Sequence, residues 1–107
     1  MHSAALADEK GLLVMYEDIG RHNALDKVMD YVFLNRITTN DKCLLLSGRV
    51  SSEILIKAAR TGLPLVVSRS APAFLAVDLS DQYNVTLAGF ARGERLSVYS
   101  HEKRIPM

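Results

Sequence analysis

Apolar and polar residues along the chain form blocks that fit a strand and then a helix, repeatedly. Gly11 opens the apolar run "LLVMYED", which has the length of a strand, and residues 21–35 then carry apolar side chains at helical spacing. The same order returns in "KCLLLSG", a buried strand, followed by "VSSEILIKAARTG", a helix that ends at Gly62. The pattern therefore predicts two consecutive strand–helix units.

A third unit follows in "LPLVVSRS" and "AFLAVDLSDQY". Ser70 is predicted to be the N-cap of this third helix, with Pro72 in its first turn, where a missing N–H costs nothing. "NVTLAGF" reads as a fourth strand, and the weaker alternation in "LSVYS" predicts an edge strand. The opening "MHSAALAD" is rich in small residues and has a helix-like character.

Strands that alternate with helices are typical of parallel sheets with right-handed crossovers. We therefore expect a three-layer α/β/α sandwich with a mainly parallel sheet and helices on both faces. The chain has 107 residues, enough for one core, and no linker-like tract, so residues 1–107 are predicted to form a single domain.

Composition narrows the range of functions. Lys and Arg number 13 against 12 Asp and Glu, so no global field favours nucleic acid or an anionic membrane. No apolar run approaches the roughly 20 residues of a membrane span. Cys43 is the one cysteine, which excludes an internal disulfide or CxxC pair and fits a reducing compartment, so we expect a cytoplasmic address. Within "KCLLL", Cys43 is predicted to be an inert core thiol.

Polar clusters fall where strands lead into helices, which is where ligands collect in such sheets. The four clusters are "EDIGRHN", "SGRVSSE", "SRSAP" and "GFARGER", and each contains an arginine. Helix N-termini and guanidinium groups together favour phosphate. We therefore predict a shared site for an anionic ligand, and its candidates from the first three clusters are Arg21, His22, Asn23, Ser47, Gly48, Arg49 and Ser70. A purely structural alternative has Asp18 capping the helix and Glu17 pairing with Arg21.

Several other chemistries are excluded. The sequence has no GxGxxG, no GxxxxGK[ST] and no GxSxG. His22 has no second His or Cys at ligand spacing, so no metal site is predicted. A zinc nucleobase deaminase needs HxE and PCxxC, whereas "HSAAL" has alanine at the glutamate position.

Taken in order, five segments of the chain resemble one family. They are "HSAAL", "EDIGRHNALDK", "LLLSGRVSSEILIKAARTGLP", "SRSAPAFLAVDL" and "VTLAGFARGERLSVYSHEKRI". They resemble the carboxy-terminal domain of the formate dehydrogenase accessory proteins, the FdhD/NarQ family. The resemblance covers nearly the whole chain, and the Glu-Asp-x-Gly-Arg-His-Asn and Ser-Gly-Arg-x-Ser-x-Glu runs are its most specific parts.

The resemblance implies a sulfurtransferase with a cytidine-deaminase-like fold and no zinc. In the family, a cysteine desulfurase supplies persulfide sulfur, which passes to the bis-molybdopterin guanine dinucleotide cofactor of formate dehydrogenase. The family's CxxC cysteines lie upstream of "HSAAL", and Cys43 does not match that motif. We therefore expect a fragment with no catalytic residue of its own that is inactive alone.

The resemblance also adds candidate residues. It places contact with the molybdenum cofactor at Phe90, Ala91, Arg92, Gly93, Glu94 and Arg95. Glu17 and Asp18 either recognise the guanine N–H groups or hold Arg21, and GDP is the natural fragment mimic of this ligand. Two alternative functions stay open: a non-catalytic module that binds the nucleotide cofactor, and an assembly platform whose helices form a homodimer, which we expect in any case.

Overall fold

The computed structural model describes residues 1–70, 73–90 and 96–98, and the three predicted helices and five predicted strands are found there. The elements in chain order are β1 (His2–Asp8), β2 (Gly11–Asp18), α1 (Arg21–Leu34), β3 (Cys43–Leu46), α2 (Ser52–Arg60), β4 (Leu65–Ser68), α3 (Phe74–Gln82), β5 (Thr86–Phe90) and β6 (Leu96–Val98). The strand predicted from "LSVYS" is β6, and it lies at one edge of the sheet as expected.

The opening segment is a strand, so its helix-like interpretation is wrong. β1 pairs antiparallel with β2 on one side and with β3 on the other. Ala4 and Leu6 are fully buried beneath the helices, and Ala5, on the other face, is also buried. Alanine favours helices intrinsically, but pairing on both edges of a central strand overrides that preference.

The sheet is mixed, and the prediction that it is mainly parallel is wrong. Its order is β2-β1-β3-β4-β5-β6, and among the described strands two pairs are parallel and three are antiparallel. The antiparallel pairs arise because β1 lies between β2 and β3 and β6 closes the other edge. Since β1 opposes both of its neighbours, β2, β3, β4 and β5 still run in one direction, and their carboxyl ends share one edge.

All three helices pack on one face of the sheet. In-register residues Leu6, Leu44, Val66 and Leu87 form a row on that face. They join one buried cluster with side chains of all three helices, which include Leu25, Ile54 and Ala76. The described part of the chain therefore forms two layers, and the predicted third layer is not found in it.

The order of the strands explains why the helices share a face. From β2 to β3, β4 and β5 the chain always advances in the same direction across the sheet. Right-handed crossovers that advance in one direction place their helices on one side. The opposite face exposes about half of Leu12 and Met15. No helix of the described residues is long and apolar enough to cross a membrane.

Candidate functional site

Three polar loops meet at the edge where β2, β3 and β4 end. They comprise residues 19–20, which lead into α1, residues 47–51, which lead into α2, and residues 69–70 after β4. The middle loop is tied to β1, because the backbone N–H of Ser3 donates to Ser47 Oγ at 2.8 Å and the N–H of Ser47 donates to the Ser3 carbonyl at 3.1 Å. Three of the four predicted clusters thus lie at this edge, and residues 91–95 of the fourth lie outside the described residues.

The loop after β4 is joined to the middle loop by serine hydroxyls. Ser68 Oγ donates to the carbonyl of Gly48 at 2.6 Å and accepts from the N–H of Ser70 at 3.0 Å. Ser70 Oγ lies 3.5 Å from the carbonyl of Ser47. The prediction that Ser70 caps the third helix is wrong: α3 begins at Phe74 with Ala73 as its N-cap. Ser70 instead joins the two loops.

The turn between β2 and α1 is organised by Asp18. Its Oδ1 accepts from the backbone N–H of Gly20 at 3.0 Å and from Asn23 Nδ2 at 3.4 Å. Its Oδ2 lies 3.0 Å from Lys27 Nζ, which also donates to the carbonyl of Glu17 at 3.1 Å. The backbone bond from Gly20 and the bond from Lys27 lower the pKa of Asp18 to about 2.

Neither part of the structural alternative for this turn is found. The N-cap of α1 is Gly20, and no side chain caps the helix. Among the described residues Glu17 and Arg21 form no salt bridge. Arg21 instead reaches across to the middle loop, where its Nη1 lies 3.4 Å from the carbonyl of Arg49.

Gly48 allows the loops to approach closely. An added Cβ at this position would lie 2.9 Å from Nδ1 of His2 and 3.8 Å from Cβ of Arg21. Any larger residue would therefore displace the His2 ring or push the middle loop away from the start of β1, whereas its contact with Arg21 would be an ordinary one. Sequence reasoning left His2 and Ser3 out of the site. The pairing of β1 with β2 sets His2 opposite Asp18, so the register of these two strands would have placed His2 and Ser3 at the site.

His22 and Asn23 complete the first turn of α1. Nε2 of His22 lies 3.6 Å from Oε2 of Glu53, at the start of α2. The Asn23 amide is held by Asp18, as described above. Within the described ranges no cluster of three or more His, Cys, Asp or Glu side chains is arranged to hold a metal ion.

The segment that the resemblance emphasises is described only at its beginning. Phe90 is the last residue of β5, so its backbone reaches the same edge of the sheet as the three loops. Ala91, Arg92, Gly93, Glu94 and Arg95 lie outside the described residues. Their predicted role stays a prediction.

Cys43 lies far from this edge. It is the first residue of β3, whose other end leads into the site. The thiol is partly buried, and burial raises its pKa to about 11. A thiol of such a pKa is almost wholly protonated near neutral pH and is a poor nucleophile. The prediction of a core thiol is wrong, because Cys43 is only partly buried and does not belong to the hydrophobic core, whereas its low reactivity stays a prediction that the raised pKa supports.

A shallow cavity of about 370 Å³ adjoins the loops on the open face of the sheet. Its walls combine apolar residues such as Ala5, Met15 and Val67 with Ser47 and Arg69 at the loop end. Arg69 is exposed and belongs to the same edge as Arg21 and Arg49. Arg69 is the arginine that lines this cavity, whereas Arg21 and Arg49 line a second, much smaller cavity together with Gly48 and Ile54.

The chain is a mixed α/β domain, a class in which ligands commonly bind beyond the carboxyl ends of the strands, where these loops lie. The model of the FdhD/NarQ family matches residues 1–106, and the chain belongs to that family. The predicted family is thus confirmed.

Individual relatives agree with this assignment. The chain is 48% identical over 105 residues to the sulfur carrier protein FdhD of Bacillus pumilus and 50% identical to that of Staphylococcus aureus. Each match covers 98% of this chain and 40% of the relative, so the chain spans about two-fifths of their length. These matches do not establish the carboxy-terminal placement that the resemblance implies.

A solved structure agrees in fold as well. It is a crystal structure assigned to a formate dehydrogenase accessory protein of Desulfotalea psychrophila, with a TM-score of 0.90 and 36% sequence identity. The match covers 98% of this chain and 47% of the other. The cytidine-deaminase-like character of the fold stays a prediction.

Proposed function

We propose that this chain is the nucleotide-binding part of a sulfur carrier protein that matures a molybdenum-dependent formate dehydrogenase. Its ligand is the guanine dinucleotide end of the bis-molybdopterin cofactor, which is a substrate here and not a resident group. The observation that carries the proposal is that Arg21, Arg49 and Arg69 belong to three joined loops at one edge of the sheet. The names of the relatives, sulfur carrier protein and formate dehydrogenase accessory protein, support it.

The residues fit a diphosphate. Guanidinium groups offer paired N–H donors that match phosphate oxygens. The first turn of α1 adds backbone N–H groups and a partial positive charge, and it has no side-chain cap. Gly48 brings backbone close to the same place without a side chain in the way. An elongated anion that spans α1 and the middle loop would thus find donors along its length.

In the sulfur transfer, this chain binds and orients the acceptor. The sulfur comes from a cysteine desulfurase and travels on CxxC cysteines that are not among these 107 residues. Cys43 cannot replace them, because it is partly buried at the opposite end of β3 and its pKa is raised. A cytoplasmic location and a homodimer complete the proposal.

Calorimetric titration of the chain with GDP tests this function, with ADP as the competing nucleotide. We expect saturable binding that prefers GDP and that Arg49→Ala weakens, because charge-assisted bonds to phosphate are lost. Arg60→Ala is the matched control: it removes the same charge from the last turn of α2, away from the loops. Equal effects of the two substitutions, or no preference for GDP, would contradict the proposal.

A dimeric assembly platform is the second candidate. It is favoured by the exposed apolar residues of α3, since Phe74 is 84% and Leu75 56% exposed. On this account Phe74→Ser would shift the sedimentation coefficient toward a monomer, whereas the arginine substitutions would leave every measured property unchanged.

A further inference from the structure

Among the described side chains near the loops, Asp18 has the most hydrogen-bond and ion-pair partners. Its two carboxylate oxygens hold the backbone N–H of Gly20, the amide of Asn23 and the ammonium of Lys27, at 3.0, 3.4 and 3.0 Å. These partners come from the turn itself, from the first turn of α1 and from nearly two turns along the helix. A single carboxylate therefore fixes the angle at which α1 leaves β2.

The contacts of Asp18 do not cap the N-terminus of α1. A capping aspartate accepts from N–H groups in the second or third helical position. Asp18 accepts instead from Gly20, the residue before the helix begins, and Gly20 has no side chain that could cap. The turn is thus held in shape while the first-turn N–H groups of α1 have no side-chain cap.

Arg21 depends on that turn for its position. It is the first residue of α1, and its guanidinium lies 3.4 Å from the Arg49 carbonyl. Its Cβ lies close to Gly48, since a Cβ added at Gly48 would be 3.8 Å from Cβ of Arg21. A rotation of the helix start would therefore separate Arg21 from the middle loop.

We propose that Asp18 is a positioning residue for the candidate anion site: through Gly20, Asn23 and Lys27 it fixes the start of α1 so that Arg21 and the first-turn N–H groups face the middle loop. Asp18 does not touch the ligand in this account. The expected effect of Asp18 on binding rests on the proposed function, whereas the effect of Asp18 on the turn is independent of any ligand.

The direction in which an Asp18 substitution changes anion affinity distinguishes a positioning role from a simple electrostatic one. Asp18 carries a negative charge beside a site for anions, so its removal should by Coulomb's law strengthen anion binding. A residue with a merely structural role would lower stability and leave the affinity of the folded protein unchanged. A positioning residue weakens binding even though a repulsive charge has gone.

The test measures GDP affinity, thermal stability and amide hydrogen exchange for Asp18→Ala and Asp18→Asn. Asp26→Asn is the matched control, because Asp26 forms an ion pair with Lys57 at the same 3.0 Å but joins α1 to α2 away from the loops. We expect Asp18→Ala to raise the Kd for GDP about tenfold, within the range that coupled contacts transmit. Asp18→Asn keeps an acceptor for Gly20 and should have a smaller effect.

Exchange at Gly20 and in the first turn of α1 should accelerate in Asp18→Ala and stay unchanged in Asp26→Asn. An unchanged or lower Kd for GDP in a folded Asp18→Ala protein would overturn the inference, as would unchanged exchange at the turn. If the unsubstituted protein does not bind GDP, the proposed function fails and the effect on binding fails with it. The exchange measurement then still decides whether Asp18 orders the turn.

Discussion

The helices α1 and α2 both begin at the loop-bearing edge of the sheet, but their starts are built differently. The N-cap of α2 is Ser51, whose Oγ accepts from the N–H of Ile54 at 3.2 Å. α2 has an acid in its first turn and basic residues in its last turn, which suits the helix dipole. α1 has Gly20 as its N-cap, no capping bond, no acid in its first turn and Arg21 at its first position.

This difference supports the proposal that the start of α1, and not that of α2, serves the ligand. Local rules of capping and charge are usually followed, and the places where they fail tend to be functional sites. Arg21 is placed at the positive end of the α1 dipole, where a positive charge lowers stability, and the Asp18 carboxylate beside Gly20 is already held by three partners. α2 follows the rules and contributes mainly to the fold.

Reversing the charge of Arg21 should have the largest effect. Arg21→Glu removes a phosphate donor and adds an anion to the first turn of α1, so GDP binding should weaken by about 2 kcal/mol or more. The same change should raise the free energy of unfolding by about 0.3–1 kcal/mol, because an acid suits a helix N-terminus. Calorimetry and urea titration measure the two effects, which have opposite directions.

Arg60→Glu is the control for this reversal. It places the same acid in the last turn of α2, where it opposes the dipole and should lower the free energy of unfolding by about 0.3–1 kcal/mol. GDP affinity should not change. If both variants lost stability and both kept their affinity, Arg21 would be an ordinary surface residue and the contrast between the helices would disappear.

Removing the cap of α2 should have the next largest effect. Ser51→Ala leaves the N–H of Ile54 without its acceptor and should lower the free energy of unfolding by about 1 kcal/mol. Since the cap serves the fold alone, GDP affinity should stay the same. Ser52→Ala, one residue into the helix, is the control and should change stability far less. A clear loss of affinity in Ser51→Ala would show that α2 also serves the ligand.

Sequence reasoning placed the polar loops at one edge of the sheet because that result depends only on strand direction. Arg21, Arg49 and Ser70 each follow a strand that runs the same way, and this holds whether or not the strands are neighbours. The predicted loops therefore meet although β1 separates β2 from β3. The periodicity of apolar residues fixes such local elements well.

Pairing and layering were less predictable because they depend on distant contacts. The segment His2–Asp8 reads as helical by propensity, and only its position between two strands makes it extended. Without β1, the sheet was wrongly expected to be mainly parallel. Because β1 was not predicted to be a strand, His2 was not predicted to lie near the loops. Its ring lies next to Gly48 because β1 begins at this edge of the sheet. The role of Asp18 as a hub was also hidden, since an acid before a helix usually predicts a cap.

A smaller effect is expected from the titration of Asp18. Its pKa in the folded protein is about 2, below the ordinary value of 3.8, so its contribution to stability is present above about pH 4 and is lost as the pH falls toward 2. The stability difference between the unsubstituted protein and Asp18→Asn should therefore shrink over this range. Urea midpoints measured from pH 5 to pH 2 test this. A constant difference would show that the charge of Asp18 does not stabilise the turn.

The smallest effect is expected when α1 receives the cap that α2 already has. Gly20→Ser offers a hydroxyl to the first-turn N–H groups. Serine at an N-cap stabilises a helix by only about a few tenths of a kcal/mol more than glycine does. The backbone of Gly20 is extended, with φ −96° and ψ 129°, so serine fits, although its Cβ would lie 3.2 Å from Asn23 Nδ2 and that amide must shift. Stability should rise slightly while GDP affinity falls, because the new hydroxyl competes with phosphate for the same donors. A variant that gained stability and kept its full affinity would show that the open start of α1 is not used by the ligand.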